Sequence, residues 1–231
     1  MSCFTSLAKP AMSIVDIFSQ YQSAFVGGLL ESLRLISIVW SAGLILGTIC
    51  GVLGSRFRNV LGRTFAVFAF ILSGIPIIVF LFWLHYPLQS MLNVVIDPFI
   101  TATAALTLVN VFAVCEIVRR ALVDFPEQYL IAAKVCGLDR WQTFSEVQLP
   151  LVLRQVLPGI LTAQVAILQA SLFASLISVD EIFRIAQRIN SEIYRPVEIY
   201  TCLALLFIVV CLPLNGVALY LRHKYTRNLS E

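Results

Sequence analysis

Five long runs of residues without a formal charge constrain the fold of this chain more than any other feature of its sequence. They cover residues 35–55, 64–96, 98–115, 155–179 and 199–221. Each meets or approaches the roughly 20 apolar residues that a helix needs to cross about 30 Å of hydrocarbon. Lipid admits only helices or closed barrels, and the runs lack the alternation of barrel strands. The sequence therefore predicts an all-α integral membrane protein with about five transmembrane helices.

Composition agrees with a membrane protein and argues against several kinds of chemistry. With 59% hydrophobic and 13% charged residues, the chain lies outside the globular range. Its six cysteines form no CxxC pair and no metal-ligand spacing, so we expect neither disulfides nor a metal site. We find no nucleotide-binding GxxxxGK[ST] motif and no His, Ser or carboxylate constellation with catalytic spacing, and we expect no enzyme. No run contains an intramembrane acid relay, which argues against a secondary transporter.

The basic residues are distributed unevenly around the five runs. Eleven of the sixteen Lys and Arg residues lie between runs one and two, between runs three and four, or after run five. By the positive-inside rule, these segments and the C-terminus are cytoplasmic, and the N-terminus is outside. Residues 1–27 are interpreted as an extramembranous lead-in or surface helix, and residues 28–231 as the transmembrane domain.

The second run is too long for one straight crossing. Ser73, Gly74 and Pro76 lie near its middle, where glycine and proline loosen the helical hydrogen-bond ladder. Such breaks are tolerated in membranes only where protein or a water-filled cavity satisfies the freed backbone. Two interpretations remain open, a packing kink and a kink that lines a pathway.

At the end of the third run, Glu116 and Arg119 are three residues apart, which favours an ion pair at the cytoplasmic boundary over contact with a substrate.

The segment 126–158 is the longest in which charged and apolar residues interleave. Pro126 is suited to open a helix, and Gly137 permits a tight turn. Apolar residues from Trp141 onward follow at helix-like spacing, and we expect Pro150 to end that element. The sequence predicts two short helices folded at Gly137 that lie along the inner membrane face. An ordinary amphipathic surface helix explains the apolar stripe, but not the small residues at fixed distances.

Those distances carry a resemblance to a known family. Two alanines are followed by a glycine, a valine and a Leu-Pro pair, in a spacing that resembles the EAA loop of ABC importer permeases. That loop docks on the cytoplasmic ATPase, and here it covers about residues 126–150. The matching positions are Ala132, Ala133, Gly137, Val147, Leu149 and Pro150. One position departs from the pattern, because Ile131 stands where the loop has Glu.

Further segments resemble polar amino-acid permeases in the same order. The first segment, SGIPIIVFLFW, resembles their RGTP-LLVQ segment, with Ser73 in place of Arg. The second segment, NVFAVCEIVRRAL, resembles their AAY-EI-RGAL segment. The third segment, LQASLFASLISVDEI, resembles their LK-TSL-S-I---EI segment. RINSEIYRPVEIY resembles permeases for histidine, lysine, arginine and ornithine, and for octopine or nopaline. The resemblance runs from about the first span to the C-terminus.

The resemblance implies the type I ABC importer permease fold in a bacterial inner membrane, with the N-terminus periplasmic and the C-terminus cytoplasmic. The implied partners are a homologous permease or a second copy of the chain, two ATPase subunits, a periplasmic binding protein and the lipid bilayer. ATP and magnesium belong to the ATPase, so the chain itself is expected to bind no cofactor. No nucleic-acid partner is expected.

The resemblance also suggests where a polar solute passes. The candidate pathway residues are Ser73, Gly74, Pro76, Gln164, Gln169, Ser171 and Ser175. Gln169 stands where the family often has Lys, and the fourth span offers only neutral groups. For Gln169 and Ser171, interhelical hydrogen bonding is the favoured alternative to contact with the solute. Glu181, at the outer end of that span, matches the family's EI position and is a candidate gate or binding-protein contact.

Three functions remain open. The first is a permease for a polar amino acid, of basic or opine type. The second is a permease of the same mechanism for another small polar solute. The third is a transport-inactive membrane scaffold with a decayed EAA loop, suggested by Ser73, Ile131 and Gln169, which depart from the family pattern together.

Overall fold

The computed structural model describes Ile17 and residues 19–226, and these residues form helices and no strand. We number the main helices in chain order. They are α1 (Gln22–Arg56), α2 (Arg63–Gly74), α3 (Ile77–His85), α4 (Pro87–Leu92), α5 (Pro98–Val123), α6 (Glu127–Val135), α7 (Leu149–Ala170), α8 (Ile182–Ile193) and α9 (Pro196–Thr226). Helix α1 already begins at Gln22, so the boundary at residue 27 does not mark the start of a helix. Residues 1–16 of the predicted lead-in lie outside the described residues.

Helices α1 and α5 approach so closely that only glycine fits between them. Three glycines of α1, spaced four residues apart, face α5: Gly43, Gly47 and Gly51. A Cβ on Gly47 would lie 2.7 Å from the Cβ of Val114, and one on Gly51 would lie 2.8 Å from the Cβ of Val118. Small residues at this spacing let transmembrane backbones pack directly. Because the contacts advance in the same direction along both helices, α1 and α5 run parallel.

The parallel arrangement makes the second run return across the membrane. The end of α1 lies beside the end of α5, where Arg58 donates to the Val123 carbonyl at 3.0 Å. The start of α5 lies beside the first half of α1, where the Arg34 guanidinium is 4.8 Å from the Phe99 ring centre. Helices α2 to α4 connect these two ends and bend by 97° at the break that Pro76 predicts. Within the described residues, four helices are each long enough to span a membrane, and this bent segment is the fifth crossing.

Helix α7 runs antiparallel to α5 and α9. The Gln164 side chain of α7 lies beside Asn110, near the middle of α5. Towards the opposite end of α5, a second cluster joins the two helices: Ala121, Phe125, Val152 and Val156. The Arg154 guanidinium lies 5.9 Å from the Tyr225 ring centre at the end of α9. The ends of α1, α5 and α9 therefore lie on the same membrane face as residues 126–150, which we call the α6 segment.

The expectation that Pro150 ends a helix is wrong. Helical structure continues from Arg140 to Ile177, and Pro150 lies in the first turn of α7. Proline normally clashes with the carbonyl of the residue four positions earlier. Here Thr143–Gln148 forms a π-helical turn just before it. The wider turn shifts the preceding carbonyls, and the chain passes from the loop into the membrane without a break.

Helix α8 closes the opposite membrane face. It is amphipathic, and its apolar side packs on the first turns of α1 and α9. The buried residues of that cluster are Ile17, Phe25, Ile182, Ile185, Ala186, Ile189, Ile199 and Leu203. Gly28 makes the approach possible, because a Cβ there would lie 2.7 Å from the Cγ1 of Ile185. Helix α8 thus ties the beginning of α1 to the beginning of α9.

Candidate functional site

The α6 segment folds back on itself at Gly137. Helix α6 ends at Val135, and Gly137 has a φ of +76°, a conformation that side chains with a Cβ rarely adopt. Asp139 then caps the next helical turn, because its carboxylate accepts from the Gln142 N–H at 2.8 Å. In turn, the Gln142 side-chain oxygen accepts a hydrogen bond of 3.0 Å from the Asp139 N–H. This reciprocal capping box fixes the direction in which the chain leaves the turn.

Large apolar side chains of this segment point away from the helix bundle. Ile131 is 59% exposed, Val135 82% and Trp141 73%. Of the predicted loop residues, Ala133 is buried, whereas Ala132 and Gly137 are exposed. An exposed apolar patch of this kind marks an interaction surface.

The break in the second span lies near mid-depth. On one side of it, Phe68 of α2 stacks on Phe112 of α5 at 5.7 Å. On the other side, Leu81 of α3 belongs to the cluster that includes Ala102 and Leu106. The break therefore falls opposite the middle of α5. The residues that form it, Ser73, Gly74 and Pro76, are all exposed on the isolated chain.

A second departure from α-helix lies against α3, the helix that follows the break. Helix α7 tightens into a 3₁₀ turn over Ser171–Ile177, and this turn packs against α3. The Ser171 hydroxyl donates to the Leu168 carbonyl at 2.8 Å, and the Ser175 hydroxyl donates to the Leu172 carbonyl at 2.7 Å. Both serines are buried and bond within their own helix. They brace the turn, and their hydroxyls are not presented at the surface of the chain.

Gln164 is held by a buried amide pair. Its Nε2 donates to Asn110 Oδ1 at 3.0 Å, and Asn110 Nδ2 donates to Gln164 Oε1 at 3.0 Å. Asn110 Nδ2 also lies 3.1 Å from the Val39 carbonyl, and Trp40 Nε1 donates to the Gln164 carbonyl at 3.2 Å. The pair joins α1, α5 and α7. Gln164 thus faces the core, whereas Gln169 is exposed on another face of α7, beside Cys211 of α9.

A groove of about 790 Å³ opens between α7 and α9 on the membrane face that carries α6. Its lining residues are Tyr129, Leu151, Arg154, Gln155, Pro158, Gly159, Thr162, Asn215, Ala218, Leu219, Arg222 and Tyr225. Among these described residues there is no Asp or Glu. The groove is therefore polar and basic at its mouth and mixed further in.

Glu116 forms the predicted ion pair. Its carboxylate accepts two hydrogen bonds of 2.8 Å from Arg119, one from Nε and one from a terminal nitrogen, and a further bond from Arg120. Such a bidentate pair has well-defined geometry. Arg119 also packs over α1, because a Cβ on Gly54 would lie 3.3 Å from the Arg119 Cδ. The pair fixes the end of α5 against the end of α1.

Glu181 is buried at the start of α8, outside the spans. Its Oε1 accepts from the Phe183 and Arg184 N–H groups at 3.0 and 3.2 Å. Ser32 of α1 lies 3.4 Å from Oε2 and accepts from the Ile182 N–H at 3.1 Å. Burial raises the pKa of the Glu181 carboxyl to about 7, although these hydrogen bonds oppose the shift. The carboxyl clamps α8 to α1.

Comparison with known families decides what this arrangement is. The family described as "Binding-protein-dependent transport system inner membrane component" matches residues 43–227. The chain belongs to this family. The match includes the α6 segment, the break in the second span, the 3₁₀ turn and the α7–α9 groove.

Two curated permeases show the range of relatives in this family. The chain is 32% identical over 154 residues to the octopine transport system permease protein OccM of Rhizobium radiobacter. That match covers 63% of this chain and 62% of OccM, so the matched part spans about three fifths of that relative. The chain is also 27% identical over 176 residues to the glutamine transport system permease protein GlnP of Escherichia coli (strain K12). That match covers 76% of this chain and 80% of GlnP.

A solved structure shares the fold. The crystal structure of an amino acid ABC transporter with histidines superposes with a TM-score of 0.78, at 20% identity. The alignment covers 93% of this chain and all of the other. The all-α membrane fold with about five spans, predicted from hydropathy, is thereby confirmed.

Two structural features of the chain were not predicted from the sequence, the glycine contact between α1 and α5 and the buried Asn110. The glycines 43, 47 and 51 were visible as a four-residue repeat, the signal for close helix packing. Asn110 gave no local signal, because its partner is 54 residues away. Within the described residues, no group of three or more His, Cys, Asp and Glu side chains is arranged to hold a metal ion.

Proposed function

We propose that the chain is the permease subunit of a binding-protein-dependent ABC importer for a polar amino acid or opine. It pairs with a second permease, binds two ATPase subunits through the α6 segment, and receives its solute from a periplasmic binding protein. The membrane face that carries α6 is cytoplasmic, and the N-terminus is periplasmic. Ten Lys and Arg residues of the described part of the chain lie on the α6 side, and they support this orientation.

The observation that carries the proposal is the exposed break at Ser73–Pro76. A helix that stops at mid-depth leaves backbone N–H and C=O groups without helical partners, and each costs several kcal/mol in hydrocarbon. The residues of the break are exposed on the surface of the chain. Protein from a second subunit or a water-filled pathway must therefore cover them. Broken helices at mid-depth form the solute sites of many transporters.

The second support is the α6 segment. Its exposed apolar side chains, with Trp141 among them, are held in place by the Gly137 turn and the capping box. The continuous helix from Arg140 to Ile177 links this surface to the 3₁₀ turn that packs against α3. A movement imposed on the surface by an ATPase is transmitted along one rigid element to the depth of the break. Access to the solute site alternates when the two permeases rock in this way.

ATPase activity of the complex in nanodiscs tests the function. The complex is assembled with its ATPase and binding protein and is given histidine, lysine, arginine, ornithine, glutamine or octopine in turn. We expect stimulation by at least one of them. Trp141→Ala should reduce that stimulation, whereas Trp83→Ala, which removes an exposed Trp from the other half of the membrane, should leave it intact. An intact complex that no solute stimulates would favour the inactive scaffold.

Thiol labelling tests the orientation. Cys136 is exposed beside the Gly137 turn, and Val95 is exposed in the loop between α4 and α5 on the opposite face. A membrane-impermeant maleimide should reach Cys136 only from the cytoplasm. In a variant that combines Val95→Cys with Cys136→Ser, it should reach residue 95 only from the periplasm. The reverse pattern would overturn the assigned orientation.

A further inference from the structure

A second groove, of about 650 Å³, lies between the end of α1, the end of α5 and the beginning of α7. We call it the α1–α7 groove. Its α7 wall extends from Gln148 to Ile160, a length of about 18 Å at 1.5 Å per residue. Its α1 wall extends from Arg56 back to Thr48. Both walls run from the membrane face that carries α6 into the span. The groove therefore reaches through about one leaflet, half of the roughly 30 Å of hydrocarbon.

The polarity of the α1–α7 groove changes along its length. Aliphatic side chains of α1, α5 and α7 line the part within the span, with Val52, Leu122 and Val156 among them. Arg56 and Arg58 line its mouth at the membrane face. An amphiphile matches this gradient, because an acyl chain fits the apolar part while a charged head group stays at the mouth. Basic pockets between transmembrane helices bind the head groups of anionic lipids.

Arg58 is held in place at the mouth. One of its terminal nitrogens donates to the Val123 carbonyl at the end of α5, at 3.0 Å. A guanidinium carries several N–H donors, so Arg58 keeps donors for a second acceptor. Within the described residues, no carboxylate forms an ion pair with Arg56 or Arg58. Guanidinium groups bind phosphate oxygens through paired hydrogen bonds. The mouth can therefore hold a phosphate.

The turn between α1 and α2 adds an apolar surface beside the same two arginines. Arg58–Gly62 forms a π-helical turn. A smaller groove of about 550 Å³ lies along this turn, and Arg56 and Arg58 line it as well. Phe57 and Val60, which also line it, are exposed. Apolar side chains interleaved with arginines are typical of segments that lie at the boundary between head groups and acyl chains.

We propose that the α1–α7 groove binds one anionic phospholipid, with its phosphate on Arg56 and Arg58 and an acyl chain between α1 and α7. Glu127 also lines the mouth, so the charged lining residues carry one net positive charge. A phosphodiester with no cationic group brings that sum to zero, whereas a zwitterionic lipid leaves it uncompensated. Neither a solute nor an ATPase is needed for this binding, so it is independent of the proposed function.

Native mass spectrometry of the full-length chain in a non-ionic detergent measures the binding. The probe is dioleoyl phosphatidylglycerol. Dioleoyl phosphatidylethanolamine is the control lipid, because it has the same acyl chains and phosphate but no net charge. We expect phosphatidylglycerol to bind about tenfold more tightly. Equal binding of the two lipids would overturn the recognition of an anionic head group.

Charge variants assign the preference to the mouth. Arg56→Gln with Arg58→Gln should remove most of it. Arg63→Gln with Arg140→Gln is the matched control, because both arginines are exposed on the same membrane face and line neither groove. An equal loss in that control would reduce the preference to the general charge of the face and contradict the site. Glu127→Gln should strengthen phosphatidylglycerol binding a few-fold, and weaker binding would contradict the charge balance at the mouth.

Val52→Trp tests the apolar part. Val52 is exposed and lines the α1–α7 groove, so a Trp there occupies groove volume without replacing a core residue. Phosphatidylglycerol binding should weaken several-fold. Val67→Trp, at an exposed position of α2 outside both grooves, should leave the affinity unchanged. Equal affinities in the two variants would remove the acyl chain from the groove.

Photocrosslinking locates the bound lipid. A phosphatidylglycerol with a diazirine in one acyl chain should label peptides that contain residues 48–52 of α1 and 152–160 of α7. Labels spread evenly over all spans would indicate bulk lipid and overturn the site. A chain that is dimeric in the native spectra, becomes monomeric in Val52→Trp and is never labelled in the groove would show that a second copy fills it. Loss of ATPase co-purification in Arg56→Gln with Arg58→Gln, with lipid binding unchanged, would assign the mouth to the ATPase instead.

Discussion

Asn110 and Gln164 exchange two amide hydrogen bonds of 3.0 Å in the middle of the bundle. Both side chains are buried, and the pair joins α5 to α7 at the depth of the broken span. Asn110 also meets Gly43, where a Cβ would lie 2.1 Å from its Nδ2. One amide pair therefore sets the register of three helices. Polar pairs of this kind hold helices together in lipid, where apolar contact alone provides little drive.

We expect Asn110→Leu to destabilise the protein by about 1–2 kcal/mol, because it leaves the Gln164 amide buried without its partner. Thermal unfolding in detergent measures the effect. The double variant Asn110→Leu with Gln164→Leu removes both amides and should lose less than the sum of the single variants. Additive losses would show that the two amides contribute independently.

The α1–α5 contact gives a second prediction. Gly47→Ala places a methyl group against Val114, so α1 must move away from α5 and the melting temperature should fall by several degrees. Gly27→Ala in the same helix is the matched control, because no atom lies within 4 Å of the added Cβ. Equal melting temperatures for the two variants would contradict the close-packing role of Gly47.

The spans were predicted from hydropathy and the break from the position of Pro76, because each of these features follows from a local rule. Lipid requires each long apolar run to be helical wherever it occurs, and Pro76 removes a helical hydrogen bond whatever surrounds it. The same kind of local rule failed at Pro150, because the π-helical turn Thr143–Gln148 relieves the clash that would end the helix. The residue types of that turn do not predict a π-helix.

The site was only partly predictable for a different reason. Gln164 and Gln169 are five residues apart, so helical geometry places them on different faces of α7. The sequence does not say which face is outward. That depends on the pairing of Gln164 with Asn110, and this pairing requires the register of α5 against α7. Ser171 and Ser175, chosen as polar groups in an apolar run, are buried and bond to their own helix.

The turn at Gly137 yields a third prediction. Its φ of +76° is strained for a β-branched residue and tolerable for asparagine. Gly137→Val should keep the spans inserted but reduce co-purification of the ATPase several-fold, because the apolar surface is no longer held in place. Gly137→Asn should retain most of the binding. No atom lies within 4 Å of a Cβ at this position, so the Cβ that both variants add meets no neighbour. Unchanged ATPase binding in Gly137→Val would remove the turn from the docking surface.

Glu181 makes stability depend on pH in a defined direction. Its folded-state pKa, raised to about 7 by burial, exceeds the ordinary value of 4.5. Between these two values the folded protein holds a proton that the unfolded chain has lost. Stability therefore falls as pH rises from about 4.5 to 7 and changes no further above that range, with a total of up to about 3 kcal/mol from this group.

Glu181→Gln isolates this contribution. The amide still has an oxygen to accept from the Phe183 and Arg184 N–H groups, but it does not ionise. Melting temperatures between pH 5 and pH 8.5 should decline more steeply in the native protein than in the variant, and the two curves should lie furthest apart above pH 7. Parallel curves would mean that the carboxyl titrates near its ordinary value. The clamp between α8 and Ser32 would then hold a charged group at every physiological pH.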